Sequence, residues 1–263
     1  MTKTTLVAGK DMPACTKFAD SLAKSGRRVV ACGDNETFKT DSDSETERQQ
    51  KLVDMASGVT TVLWNRGSPI SARTLILSAE SLYANLDEVV FYFDEELYAS
   101  KANQVDIQEC SRGSSDMILS YQYLTLEALN RFKARKTEDN PGTLIYLLKE
   151  GPSAADAVRS PSLRNGAYSI ASPVVAAAAT AFMAFAENIA AIYGDLPNLN
   201  VLMVRGDKSM DTVANEGSLA KWLAYYTDTY FEQKMKKNIK ASLNWVRPGT
   251  KLQGSGFSLF GKK

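Results

Sequence analysis

Histidine does not occur anywhere in the 263 residues. That absence excludes Ser-His-Asp and Cys-His nucleophilic catalysis and removes the commonest transition-metal ligand. Cysteine is scarce: Cys15, Cys32 and Cys110 are the only three, far apart and with no C-x-x-C pair. An odd, sparse count excludes a disulfide framework, reads as free thiols in a reducing compartment, and leaves no ligand set for structural zinc. Neither sign of charge dominates, since 31 Lys and Arg face 30 Asp and Glu for a net charge of +1. The basic residues are scattered rather than clustered on one face, so no nucleic-acid footprint is expected. The opening "MTKTTLVAGKDMP" lacks the hydrophobic region and small-residue cleavage site of a signal peptide. The expectation is a cytoplasmic protein without a metal, whose chemistry would fall to Tyr, Lys, Ser, carboxylates or a cofactor.

What is present is alternation. "TTLVAG" (Thr4–Gly9) is a short β-type run, and Pro13–Ser25 follows with Phe18, Ala19 and Leu22 on one helical face and Gly26 as the stop. "RRVVACGD" (Arg27–Asp34) is a second buried strand, so the chain opens strand–helix–strand, the unit of a parallel right-handed crossover. The acid-rich "NETFKTDSDSETERQQ" reads as a solvated loop running into a helix. "TTVLW", "LDEVVFYF", "GTLIYLLKEG" and "NLNVLMVRGD" are further strands, and "ILSYQYLTLEALNRFKAR" is an amphipathic helix. A second such helix, "SLAKWLAYYTDTYFEQKMKKNIK", carries Leu219, Trp222, Leu223, Tyr226 and Tyr230 in one stripe. Neither an internal repeat nor a Gly/Ser/Pro-rich linker divides the chain. These observations predict α/β architecture: a single domain over residues 1–263 with a doubly wound, mostly parallel sheet, helices on both faces, and a tail from about residue 246.

The stretch "AYSIASPVVAAAATAFMAFAENIAAIYGD" (Ala167–Asp195) is the most unusual. Glu187 and Asn188 interrupt it, and alanine is a poor driver of bilayer insertion, so no membrane span is expected. Together with its surroundings it resembles the short-chain dehydrogenase/reductase family. The landmarks run in order: a first strand ending in Gly9, a strand followed by Asn65-Arg66-Gly67, an apolar strand before Tyr168 and its small-residue helix, and a strand ending in Arg205-Gly206.

What the resemblance implies is a Rossmann-like fold and an NAD(P) site, here eroded. The family's phosphate-cradling T-G-x-x-x-G-x-G falls on "AGKDMPAC": Gly9 matches the first glycine, while Pro13 and Cys15 replace the other two. Asp34 stands where an acid holds the ribose, and Asn65 and Gly67 keep part of the N-N-A-G stretch. Arg66, in place of a small residue, would fill the pocket or meet an anionic ligand. In the catalytic set Tyr168 matches the tyrosine, Ser172 replaces the lysine that lowers its pKa, and the substrate-orienting serine falls near Lys149, with Ser153 a few residues late.

The implied reading is a non-catalytic subunit with no cofactor. It would oligomerise with itself or with an active paralogous dehydrogenase, possible examples being hydroxyacyl-CoA dehydrogenase systems, through helices at about 115–135 and 169–194. Two alternatives stay open. One is an NAD(P)-dependent oxidoreductase with an altered site, using Tyr168 and Lys149; the other is a binding module whose former cofactor pocket holds another ligand.

Overall fold

The computed structural model describes residues 2–33, 58–102, 106–135, 140–152, 154–159, 172–207, 209–237 and 242–251. Among the described residues six strands form one sheet: β1 (Lys3–Met12), β2 (Arg27–Gly33), β3 (Val59–Leu63), β4 (Glu88–Asp94), β5 (Gly142–Glu150) and β6 (Leu199–Asp207). Their order is β3-β2-β1-β4-β5-β6 and every pairing is parallel. Strands buried on both faces read as near-continuous apolar runs, and "EVVFYFD" of β4 is buried at all seven positions.

Between the strands run α1 (Thr16–Lys24), α2 (Pro69–Tyr83), α3 (Glu95–Lys101), α4 (Ile107–Ser114), a π-helical turn (Ser115–Leu119) and α5 (Ser120–Lys133). The chain continues through α6 (Ala154–Arg159), α7 (Pro173–Tyr193), α8 (Asp211–Ala214) and α9 (Glu216–Lys237). One core packs α2, α5 and α7 on the sheet through Leu75, Tyr121, Phe132 and Phe182. The other packs α1 and α9 on the opposite face through Phe18, Leu22, Leu219 and Leu223. The aromatic stripe of α9 is thus core-facing, with Leu219, Leu223 and Tyr226 buried and Trp222 and Tyr230 half-buried.

α7 is long and apolar enough to cross a membrane by length and composition. In the fold it lies on the sheet, with Val175, Ala178, Ala179, Phe182, Ala186, Ile189 and Ala190 buried. Residues 242–251 lie against the outer strand, where Val246 forms a parallel bridge to Val204 of β6.

Candidate functional site

In a doubly wound sheet, ligands settle in the crevice beyond the carboxyl ends of the strands where the winding reverses. Here that point lies between β1, whose crossover leads to β2, and β4, from which the chain winds towards β5 and β6. β1 does not stop at Gly9. Gly9 adopts φ +105°, and the pairing of β1 with β2 shifts register between Val7 and Met12. A regular strand would put Lys10 on the same face as Ala8. Instead the irregularity turns Lys10 towards Tyr92, whose ring lies 5.1 Å from Nζ in the core under α9, and sends Asp11 to the other face with Arg66.

On the Asp11 side the crevice is filled by the chain itself. Arg66 Nη2 donates to the Gly9 carbonyl at 2.6 Å and to Asp11 Oδ2 at 2.7 Å, and Nη1 donates to the Tyr98 hydroxyl and to the Asp116 carbonyl. Its guanidinium lies over the rings of Trp64 and Tyr98. The Tyr98 and Tyr121 hydroxyls stand 2.8 Å apart, and Tyr121 donates to the Tyr92 carbonyl at 2.9 Å. A Cβ on Gly9 would meet the Tyr121 hydroxyl and, at 2.5 Å, the Tyr92 carbonyl oxygen. Burial works against the charge on Arg66, but Tyr98 and Asp11 beside it raise its pKa well above the usual value. Burial also pushes the Tyr98 and Tyr121 phenols up, so neither is poised as a base near neutrality. Asp11 Oδ1 and the Trp64 indole nitrogen are buried there without a hydrogen-bond partner among the described residues.

On the other side Lys10 joins a buried charge cluster. Its Nζ lies 2.7 Å from both Asp94 Oδ2 and Glu216 Oε1, and Lys149 Nζ lies 3.3 Å and 3.0 Å from the same two oxygens. The Tyr92 hydroxyl donates to Glu216 as well. Two cations and two anions alternate, tying the ends of β1, β4 and β5 to the first residue of α9. Burial alone would raise the Asp94 carboxyl, but the ammonium groups of Lys10 and Lys149 outweigh it and hold its pKa below the ordinary value. The pairings join the ends of three neighbouring strands to α9.

The turn into α1 is equally self-contained. Pro13 has no N–H, Cys15 N donates to the Asp11 carbonyl at 3.1 Å, and Thr16 N donates to the Pro13 carbonyl at 3.1 Å. Burial lifts the Cys15 thiol to about 12, so it is no nucleophile.

The structure places the sequence candidates unevenly. Gly9 lies in the crevice. Asn65 and Gly67 instead form an exposed turn after β3, the edge strand, with Asn65 Oδ1 accepting from Gly67 N at 3.2 Å. Arg66 alone reaches inward from that turn, and it contacts the chain's own carbonyl, carboxylate, hydroxyl and aromatic groups. Ser172 does not sit on a helix face. Its backbone is extended, its Oγ accepts from Val175 N at 3.4 Å as N-cap, and α7 begins at Pro173 rather than at residue 169. Serine before proline is a start signal, which the length of the alanine run obscured. Lys149 belongs to the charge cluster. Asp34, Ser153 and Tyr168 lie outside the described residues. Lys10, Asp11, Asp94, Tyr98 and Glu216 were missed by the sequence reading. The signal for Lys10, Asp11 and Asp94 was present as charged residues closing apolar runs, in "LVAGKDM" and "VVFYFDEE".

Six parallel strands in this order, with helices on both faces and Gly9 at the first turn, are the fold of short-chain dehydrogenases and reductases. Among solved structures the chain is similar to a short chain dehydrogenase from Mycobacterium smegmatis, at TM-score 0.61 and 17% identity over 95% of this chain and 93% of that one. It is also similar to the 3-ketoacyl-(acyl-carrier-protein) reductase from Brucella melitensis complexed with NADH, at TM-score 0.55 and 13% identity over 85% and 90%. At these identities the likeness is one of fold. No protein-family model matches the chain. An uncharacterised protein of Treponema pallidum (strain Nichols) is 26% identical over 165 residues, which is 62% of this chain. The chain spans 64% of the length of that curated relative.

Proposed function

We propose that this chain is a non-catalytic subunit built on the short-chain dehydrogenase fold, one that has lost nucleotide binding and works by assembly with another chain of that fold. The observation that carries the reading is Arg66, half-buried at the switch point and bonded to Gly9 and Asp11. A dinucleotide diphosphate needs free backbone N–H groups and close approach to the first turn. The residues present do not fit that group: the Cys15 and Thr16 amides are engaged, Tyr121 crowds Gly9, and Arg66 is already taken by the Gly9 carbonyl and the Asp11 carboxylate. The expectation of no cofactor rests on this misfit.

Assembly is supported by the outer face of α7, where Ala177 and Ala184 are exposed and Ala181 is half-buried, with Ile192 exposed further along. Leu119 and Leu126 are exposed on the π-helical turn and α5. Small side chains let a second helix approach closely, so the pair of helices suits a copy of this chain or an active paralogue, with the paralogue favoured. Cytoplasmic location, without membrane or nucleic acid, accompanies this reading.

A second reading, an NAD(P)-dependent oxidoreductase, is favoured by one observation: the Brucella melitensis structure of the same fold was determined with NADH. It would require Arg66 and Tyr121 to vacate the crevice. The test is oxidation of NADH and NADPH by the purified chain over a panel of ketones, and reduction of NAD and NADP over hydroxyacyl substrates. No turnover is expected, and Ser172→Lys should not restore it, because Ser172 caps α7. Wild-type turnover abolished by Tyr168→Phe would establish the oxidoreductase instead.

A further inference from the structure

Two strands from the filled crevice, a cavity of about 300 Å³ opens at the carboxyl ends of β5 and β6. From it we infer a ligand site for a small amphoteric molecule: a carboxylate, a hydroxyl or ammonium donor, and an apolar body. It does not rest on the non-catalytic reading. The volume is at the lower end of small-molecule sites.

One wall is the segment 242–251, which is fixed at several points. Val246 N donates to the Met203 carbonyl at 2.8 Å, and the Val246 carbonyl accepts from Arg205 N at 3.0 Å. Trp245 Nε1 donates to Glu187 of α7 at 2.7 Å, and Trp222 Nε1 of α9 donates to the Thr250 carbonyl at 3.1 Å. Pro248 packs so closely on β6 that a Cβ on Gly206 would lie 2.8 Å from its Cδ. The segment therefore presents Trp245 and Arg247 to the cavity from a preorganised support, which lowers the ordering cost of binding.

The lining decides the ligand class. Arg205 Nη2 is 2.6 Å from Glu150 Oε1 and is already neutralised. Asp207 accepts from Ser209 N at 2.8 Å and from the Ser209 hydroxyl. The Arg247 guanidinium has no hydrogen-bond or ion-pair partner among the described residues, and it lines the cavity beside Asp207. With Arg205 paired to Glu150, the Arg247 guanidinium faces the Asp207 carboxylate, so the lining has no surplus of positive charge; a dianion is disfavoured while a single carboxylate fits Arg247. The remaining lone pairs of Glu150 and Asp207 can accept from a donor on the same molecule. Trp245 and Met210 supply the apolar wall.

The test is calorimetric titration of the full chain with phenyllactate and with L-phenylalanine, which carry all three features. Phenylpropionate and phenethylamine each lack one polar group, and inorganic phosphate serves as the dianion control. Saturable binding of phenyllactate or phenylalanine is expected, weakened about tenfold or more by either omission and by Arg247→Ala. Arg247 is exposed, so that variant should keep the wild-type melting temperature, confirming that lost binding is not lost folding. No saturable binding of either full probe, equal binding by folded Arg247→Ala, or phosphate binding as tightly as phenyllactate would overturn the assignment.

Discussion

Replacing Asp94 with alanine perturbs the charge cluster at its most shared point. Asp94 Oδ2 faces Lys10 at 2.7 Å and Lys149 at 3.3 Å, and Oδ1 accepts from Leu97 N at 3.3 Å as the N-cap of α3. The side chains of Asp94, Lys10 and Lys149 are 3%, 7% and 9% exposed. Removing the carboxylate leaves two buried ammonium groups with Glu216 alone between them. Breaking a buried pair in this way costs about 3–5 kcal/mol, and loss of the cap adds about 1 kcal/mol. For a chain of this size the sum corresponds to a fall in melting temperature of roughly 8–24 °C. Thermal and urea unfolding followed by circular dichroism measure it. Asp94→Asn, which keeps an acceptor for the cap, should lose about 3 kcal/mol or more. The double variant Asp94→Ala, Lys10→Met should lose less than the sum of its parts, by at least about 1 kcal/mol. A loss under about 1 kcal/mol for Asp94→Ala, or strict additivity, would refute the cluster as the tie between β1, β4 and β5.

The same carboxyl sets an acid limit. Because the Asp94 pKa is depressed in the fold, its stabilisation is complete above the unfolded value of about 4 and is lost as pH falls through the lower folded value. Urea midpoints measured from neutral pH downward should fall below about pH 4 for the wild type, and less steeply for Asp94→Asn. Gly9→Ala should cost at least about 2 kcal/mol, since the φ of +105° strains any side chain and the Cβ meets Tyr121 and Tyr92; urea unfolding reads this out. Ala184→Trp, on the exposed face of α7, should convert the proposed assembly to smaller folded species in light scattering. A wild type monomeric both alone and in lysate would contradict that interface.

Much of the fold was legible because its signals are local. Apolar strands ending in Glu150 and Asp207, the apolar run that reaches Gly9 inside β1, and helices with periodic faces carry their own pattern, and their alternation admits few topologies. Helix α2 was passed over, although Ser68 caps it and Pro69 opens it, because its apolar residues do not form a narrow stripe. The site was less legible. Whether Lys10 and Asp11 belong to a loop or to a strand depends on the register break after Val7, which no residue type encodes by itself. That Arg66 meets Gly9, 57 positions away, follows from the pairing of three strands. Glu216 approaches Lys10 only because α9 packs across the sheet. Charged residues at the ends of buried runs mark where such meetings happen, but tertiary packing chooses the partners.

Binding of NADH and NADPH to the purified chain decides whether this fold has lost its nucleotide site. With Arg66 and Tyr121 occupying the switch-point crevice, isothermal titration at millimolar nucleotide should show no saturable heat, and neither nucleotide should raise the melting temperature. A micromolar dissociation constant for either nucleotide, lost when Gly9 is changed, would show that the crevice opens to a cofactor and would contradict the account.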